Sequence, residues 1–321
     1  MSRGKILALC GGIGGAKLAL GLYRILPPRD LILCVNTGDD FEHLGLHVSP
    51  DLDTVMYTLA GLDNPETGWG RRGETWTFMQ AIEALGGETW FRLGDGDLAT
   101  HIERTRRLRD GASLTAVTSD FAHRLGIGAT LLPMSDDRVR TMVETSEGLM
   151  PFQRYFVARR CEPAVRRIFF EGAERAEPNP AVMAALRSPD LALVVVCPSN
   201  PYLSVDPILA QPALRQAFAK RAAPVVAVSP LIGGQAVKGP TAKIMAELVI
   251  PLTQASIVRH YDGLLDGIMI DRADQKEAAT LPLATRTTRT LMRTLDDRER
   301  LAREVLKFGA SLAPVEATRA S

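Results

Sequence analysis

A chain of 321 residues with 46% hydrophobic residues, 23% charged residues and a formal net charge of +1 is an ordinary globular sequence, long enough for one large α/β domain or two modest ones. This balance excludes a disordered or polyanion-coating protein, and no apolar run reaches the ~18 residues of a membrane span, so neither nucleic acid nor membrane is expected as a partner. Four scattered cysteines (Cys10, Cys34, Cys161 and Cys197), without a CxxC pair or a leader pattern at the N-terminus, predict free thiols in a cytoplasmic protein.

The chain opens with a β-α-β unit. Lys5–Cys10 (KILALC) is a buried-strand pattern that enters Gly11-Gly12-Ile13-Gly14-Gly15-Ala16-Lys17. Ala16–Leu26 then sets Leu18, Leu22 and Leu26 at helical spacing, and Pro27-Pro28 stops it. Leu31–Val35 (LILCV) is the second strand and ends in Asn36-Thr37-Gly38-Asp39-Asp40. Ser49-Pro50-Asp51 starts a helix over Asp53–Leu62, and a loop rich in Gly, Trp and Arg follows from Asn64 to Gly73. Helices are predicted over Thr75–Leu85 and Leu98–Arg109, with the Trp90–Gly94 run and the acidic turn Asp95-Gly96-Asp97 between them.

The middle section is shorter in rhythm. Ala129–Leu132, Thr141–Thr145, Tyr155–Val157 and Ala164–Phe170 are β-prone and bounded by turn residues, which predicts a small mixed α/β insertion over residues 129–185. Parallel-sheet runs return at Leu191–Cys197, before Pro198-Ser199-Asn200-Pro201, and at Pro224–Val228, before Ser229–Gly234 and Lys238-Gly239-Pro240. Leu265–Ile270 reads as the last core strand, residues 291–312 as an amphipathic helix, and residues 313–321 as a frayed end. The expected fold is α/β, a Rossmann-like, mostly parallel sheet flanked by helices, with residues 1–128 and 186–321 forming the core around the insertion.

Strand-end loops of a parallel sheet converge on one crevice, so the motifs at those ends are weighed together. The first glycine turn is no Walker loop, having no hydroxyl after Lys17, and fits G-x-G-x-x-G only loosely. It serves either as a phosphate cradle at a helix N-terminus or as a tight β-α connection; Lys17 either complements a phosphate or is solvated. Asp39, Asp40, Asp51 and Asp53 put four carboxylates within fifteen residues. Magnesium bound to one or two of them and to a diphosphate would relieve their repulsion; the alternative makes Asp51 and Asp53 helix caps and leaves Asp39 and Asp40 solvated. His43 and His47 either shape that pocket or cap a loop. Trp69, Arg71, Arg72, Trp76, Trp90 and Arg92 suit a planar anionic ligand, or the tryptophans plug the core.

Taken in order along the chain, these motifs resemble the CofD-like family, the 2-phospho-L-lactate transferases of deazaflavin coenzyme F(420) biosynthesis. The resemblance rests on Gly11–Lys17, Asn36–Asp40, Ser49–Thr54, Leu93-Gly94-Asp95 with Ala99-Thr100-His101, and Leu132–Asp137. It continues through Pro198–Pro201, Ser229-Pro230, Gly233-Gly234 and Lys238-Gly239-Pro240. It implies a magnesium-dependent transfer of a phospholactyl-type group from a guanosine diphosphate-linked donor to the ribityl hydroxyl of Fo, the deazaflavin acceptor, with release of GMP. It also implies that Asp53 and Arg92 contact Fo, and that Asp39, Asp40, Asp51 or Asp53 holds the metal, one of Asp39, Asp40 and Asp53 taking the hydroxyl proton. Gly11, Gly12, Gly14, Gly15, Lys17, Ser199, Asn200, Ser229, Gly233 and Gly234 would then hold the nucleotide, in a homodimer. The alternative is a regulatory nucleotide-sugar-binding protein of the gluconeogenesis-factor type; retention of Asn36–Asp40, Asp51–Asp53 and Gly68-Trp69-Gly70 favours the transferase. A nicotinamide dehydrogenase fits less well, lacking a clean glycine fingerprint.

Overall fold

Strand β1 (Lys5–Cys10) shows why the sheet must be covered on both sides. Leu7 and Leu9 enter one core while Ile6, Ala8 and Cys10 enter the other, and all five are fully buried. A period of two with apolar residues on both faces is what a central parallel strand requires. The computed structural model describes residues 4–237, 239–261 and 263–312. Lys238, expected beside the second glycine loop, and the tail expected to fray at 313–321 lie outside the described residues.

In chain order the strands are β1, β2 (Leu31–Val35), the hairpin β3 (Phe41–His43) and β4 (Leu46–Val48), β5 (Thr130–Pro133), β6 (Arg140–Thr145), β7 (Gly148–Pro151) and β8 (Val165–Glu171). They continue with β9 (Leu191–Val196), β10 (Val225–Val228), the small hairpin β11 (Leu231–Ile232) and β12 (Gln235–Ala236), β13 (Gly267–Asp271) and β14 (Ala284–Thr288). Seven of these form one parallel sheet in the order β14-β13-β10-β9-β1-β2-β5. The chain therefore reverses its direction of winding between β1 and β9. In such a sheet the crevice for ligands opens beyond the carboxyl ends of those two strands.

One face carries helix α1 (Gly12–Ile25), α2 (Pro50–Ala60) and the C-terminal helix Leu295–Ser311. After α2 come α3 (Thr77–Ala84), α4 (Asp95–Arg109) and α5 (Leu114–Arg124). The opposite face carries the chain between β9 and β13 and a three-stranded antiparallel sheet, β7-β6-β8, whose Val143 and Val165 join the same core as Leu7 and Leu9. Helix α1 meets the C-terminal helix closely at Gly21, where an added Cβ would lie 2.2 Å from the Arg298 carbonyl oxygen. Gly21→Ala must push two helices apart, and we expect a loss of about 1–3 kcal/mol in urea unfolding.

The Rossmann-like parallel sheet agrees with the sequence reading, and three details differ. Ala129–Leu132, read as the start of the insertion, lies mostly in β5 and pairs with β2 at the edge of the main sheet. Tyr155–Val157, read as a strand, lies in a π-helical turn, Arg154–Ala158. There Phe152 stacks on Phe156 with ring centroids 5.3 Å apart, and Arg160 and Cys161 follow with positive φ, which ends the turn. Finally, β14 (ATRTT) adds an edge strand after β13, the strand read as the last; its polar, alternately exposed residues carry no apolar run.

Candidate active site

Helix α1 follows β1 almost without a loop, and its glycines answer three separate close approaches. A Cβ on Gly11 would come within 2.4 Å of an Asp51 carboxylate oxygen, one on Gly14 within 2.2 Å of the Pro198 carbonyl oxygen, and one on Gly15 within 2.5 Å of Ser199 Oγ. The Gly11 N–H donates to Ser199 Oγ (3.1 Å), and Ser199 Oγ donates to the Gly11 carbonyl (2.9 Å). Gly12, at φ +61°, donates its N–H to Asp51 Oδ1 (2.8 Å). Two N–H groups expected to face a phosphate are thus engaged within the protein.

The other residues read as nucleotide ligands divide in the same way. Lys17 Nζ donates to the Met292 carbonyl (3.2 Å). Asn200 Oδ1 accepts from the Tyr202 and Leu203 N–H groups, while its amide nitrogen has no partner among the described residues. Ser229 Oγ accepts from Leu231 N–H. Gly233 and Gly234 form a concave pair of N–H groups of the kind that binds anions, but both donate to the protein's own Asp274 at 2.9 Å. The structure therefore brings Gly11, Gly12, Gly14, Gly15, Pro198, Ser199 and Asp51 together at the winding switch, and builds the Gly233–Gly234 turn on an internal carboxylate instead.

Beside this lies the acidic cluster, which falls into two halves. In the first, Asn36 is the organiser. Its Nδ2 donates to Asp51 Oδ2 (2.9 Å) and to the Leu203 carbonyl (3.2 Å), and its Oδ1 accepts from Gly38 N–H (2.8 Å), which turns the chain so that Asp39 and Asp40 face inward. Asp40 Oδ2 accepts from Ser49 Oγ (2.7 Å) and lies 3.2 Å from His47 Nε2. Asp39 Oδ1, Asp40 Oδ1, Thr37 Oγ1 and Thr141 Oγ1 are buried without a hydrogen-bond partner among the described residues. Burial pushes the Asp39 carboxyl well above the usual range, and the charge of Asp51 adds to it, while the adjacent Thr141 and Asn36 side chains oppose the rise. Burial likewise pushes Asp51 up to about 6, against the hydrogen bonds from Asn36 and Gly12, and raises Asp40. Buried carboxylates with orphaned oxygens and mutually raised affinities for a proton are the electrostatics of a cation site. Oxygen donors of this type fit magnesium.

In the second half Asp53 has a partner of its own. Arg104 from α4, 2% exposed, donates Nη1 to Asp53 Oδ2 (3.0 Å) and Nη2 to Asp53 Oδ1. His101 Nδ1 lies 3.7 Å from Asp53 Oδ2, and His101 Nε2 lies 3.2 Å from Asp97 Oδ2. Tyr57 donates its hydroxyl to Asp97 Oδ1 (2.6 Å). Burial alone would raise Asp97, but His101 and Tyr57 outweigh it and hold the carboxyl below its usual value. Asp53, read from the sequence as a fourth possible metal ligand, has both oxygens bonded by a guanidinium, and with Asp97 and His101 it forms a group whose ligand atoms lie within 4.8 Å of one another. Asp53→Asn strands a buried guanidinium; we expect a loss of about 3–5 kcal/mol in chemical denaturation.

Two cavities adjoin the first half. One, of about 190 Å³, is lined by Thr37, Asp40, Phe41, His47 and Arg140 among others; the second, of about 130 Å³, by Asp39, Asp40, Phe41, Trp90, Phe152 and Arg154 among others. His47 thus belongs to the acidic pocket, whereas His43 is buried in an aromatic cluster, 5.1 Å from the Trp90 ring. Arg154 lies over Trp90 at 4.3 Å and pairs with Glu88, tying the small sheet to the loop before α4. Arg92, read as an acceptor contact, is exposed and lies over Trp76 at 4.1 Å, with no ion pair to the carboxylates. Arg104, Asn36 and Tyr57 were not singled out as functional side chains in the sequence reading.

A parallel sheet wound in both directions from β1, with a carboxylate pocket at the switch, defines an α/β protein of the Rossmann-like class. A model of the family described as 2-phospho-L-lactate transferase CofD matches residues 6–309. A phosphoenolpyruvate transferase of Streptomyces griseus is 43% identical over 95% of this chain and 98% of its own. A 2-phospho-L-lactate transferase of Methanosarcina mazei is 37% identical over 94% of this chain and 99% of its own. The chain belongs to the CofD family and is a transferase. A crystal structure of a UPF0052 family member from Bacillus halodurans shares the fold, with a TM-score of 0.62 at 15% identity over 95% of this chain and 99% of that one. No helix among the described residues is long and apolar enough to cross a membrane.

Proposed function

We propose that this protein transfers a phospholactyl-type group (phospholactate, phosphoenolpyruvate or phosphoglycerate) from a guanosine diphosphate-linked donor to the ribityl hydroxyl of Fo. GMP is released, in coenzyme F(420) biosynthesis. The observation that carries this reading is the pair of buried oxygens, Asp39 Oδ1 and Asp40 Oδ1, without a partner among the described residues, beside Asp51, at the carboxyl ends of β1 and β2 and next to two cavities. Magnesium held by Asp39, Asp40 and Asp51 would draw negative charge from the diphosphate as the bond to the leaving GMP breaks. Asp40, hydrogen-bonded by Ser49 and adjoining both cavities, would take the proton of the attacking hydroxyl. Phe41, Trp90 and Phe152 offer a deazaflavin ring flat apolar contact in the smaller cavity. The Gly11–Gly15 turn and the Pro198–Asn200 turn lie where the donor's phosphates would approach the switch of the sheet. We expect a homodimer, with the small sheet as contact face, where Leu149 is 57% exposed.

The experiment incubates purified protein with Fo, magnesium and each of the three guanosine diphosphate-linked donors, and follows Fo-derived products and GMP by mass spectrometry. A metal-dependent phosphoester of Fo supports the reading and names the donor. No product with any donor, together with tight nucleotide-sugar binding, overturns it in favour of a binding protein.

A further inference from the structure

We infer that Arg104 is a positioning residue that serves as the resident cation of the acidic cleft: it closes the Asp53 side against metal and confines a divalent ion to Asp39, Asp40 and Asp51. The inference rests on the metal-dependent reading above and goes beyond it by fixing where, and how many, ions bind.

The geometry of the closed half carries it. Asp53, Asp97 and His101 each offer one ligand atom, and these atoms lie within 4.8 Å of one another. Two carboxylates and an imidazole at that spacing have the composition of a divalent-metal site. What differs is the guanidinium laid across the same Asp53 carboxylate, with its Nη1 also 3.4 Å from His101 Nδ1. A fixed positive charge on the ligand oxygens repels a metal ion, and a planar fork takes the facing lone pair of each oxygen, leaving an ion only the outward ones. Burying that guanidinium is costly unless its partner is held in place, and here helices α2 and α4 both hold it, with Tyr57 and His101 completing the network around Asp97. The open half has no guanidinium bonded to Asp39 or Asp40 among the described residues; the Arg104 charge reaches Asp40 from beyond ion-pair distance, and His47 Nε2 lies 3.2 Å from Asp40 Oδ2. Its Asp39 and Asp40 each keep an oxygen without a partner. One carboxylate cluster is thus divided between an ion that folding supplies and an ion that solution must supply.

The test is a manganese titration of the full-length protein without substrates, read by electron paramagnetic resonance as bound ions per chain. Wild type is expected to bind a single ion. Asp97→Asn should keep that ion with a dissociation constant within about twofold of wild type, since the residue belongs to the closed half. Arg104→Met should gain a second ion at Asp53, Asp97 and His101, and Arg104→Lys, which restores a charge, should return the count to that of wild type. A merely structural role for Arg104 would alter stability without adding an ion. Two ions in wild type, loss of the ion in Asp97→Asn, or a folded Arg104→Met with an unchanged count each overturn the inference while leaving metal dependence in place. No ion in wild type overturns the metal reading itself. Should Arg104→Met fail to fold, Arg104→Gln, which keeps a hydrogen-bond donor without the charge, is titrated in its place, and an unchanged count in that folded variant overturns the inference.

Discussion

Asp39→Asn lowers turnover by about 10³ while leaving the fold as stable as before or more so, on a physical argument that separates function from architecture at this position. The carboxylate is buried, one of its oxygens has no hydrogen-bond partner among the described residues, and burial together with the charge of Asp51 makes its ionisation unfavourable. A neutral amide of the same shape removes that cost. It also removes a ligand from the proposed cation site, where a bound metal is worth several kcal/mol of charge stabilisation in the transition state, roughly three decades in rate. Asp51→Asn should lose similar activity but also stability, because both Asp51 oxygens accept hydrogen bonds, from Gly12 N–H and Asn36 Nδ2. An amide there points a donor at a donor, at a cost of about 1–3 kcal/mol. Steady-state turnover and urea unfolding without metal, measured on both variants, check the contrast. Turnover of Asp39→Asn within tenfold of wild type would remove that residue from the chemistry.

The parts of this fold that were legible in the sequence are those whose burial is written as an uninterrupted pattern. The β2, β9 and β10 runs are apolar at every position, and β1 at every position after Lys5, because both faces of the sheet are covered. Edge strands carry no such mark: β14 reads as Thr and Arg, and β5 looked like part of its neighbour. The acidic cluster was also legible as a cluster, since four Asp residues flank one strand end and one helix start. Its division was not. Helix α4 contains four arginines, and nothing in HIERTRRLR distinguishes the one that turns inward to Asp53 from the three that do not. The Gly233–Gly234 turn was misleading for a related reason. A concave pair of N–H groups looks the same in sequence whether a phosphate or Asp274, forty residues on, accepts from it.

The second large effect is the loss of divalent-cation affinity as pH falls through about 6. Asp51 binds its last proton with a pKa near 6 in the folded protein against an ordinary 3.8, so below that point a proton competes with the metal for a ligand oxygen. Affinity should fall about tenfold for each pH unit and each proton displaced, and Asp39, raised in the same direction, steepens the slope. The sign for stability follows from the same shift. A carboxyl whose pKa is raised by folding binds its proton more tightly in the native state, so the metal-free protein loses stability as pH rises from about 4 to about 6, by about 3 kcal/mol for this group alone. A cation that binds only the ionised, folded form offsets that loss. Magnesium should therefore raise the melting temperature clearly at pH 7.5 and hardly at all at pH 5, and a chelator should abolish both the shift and the turnover. A magnesium-induced shift that is the same at both pH values, or larger at pH 5, would place the ion away from Asp51.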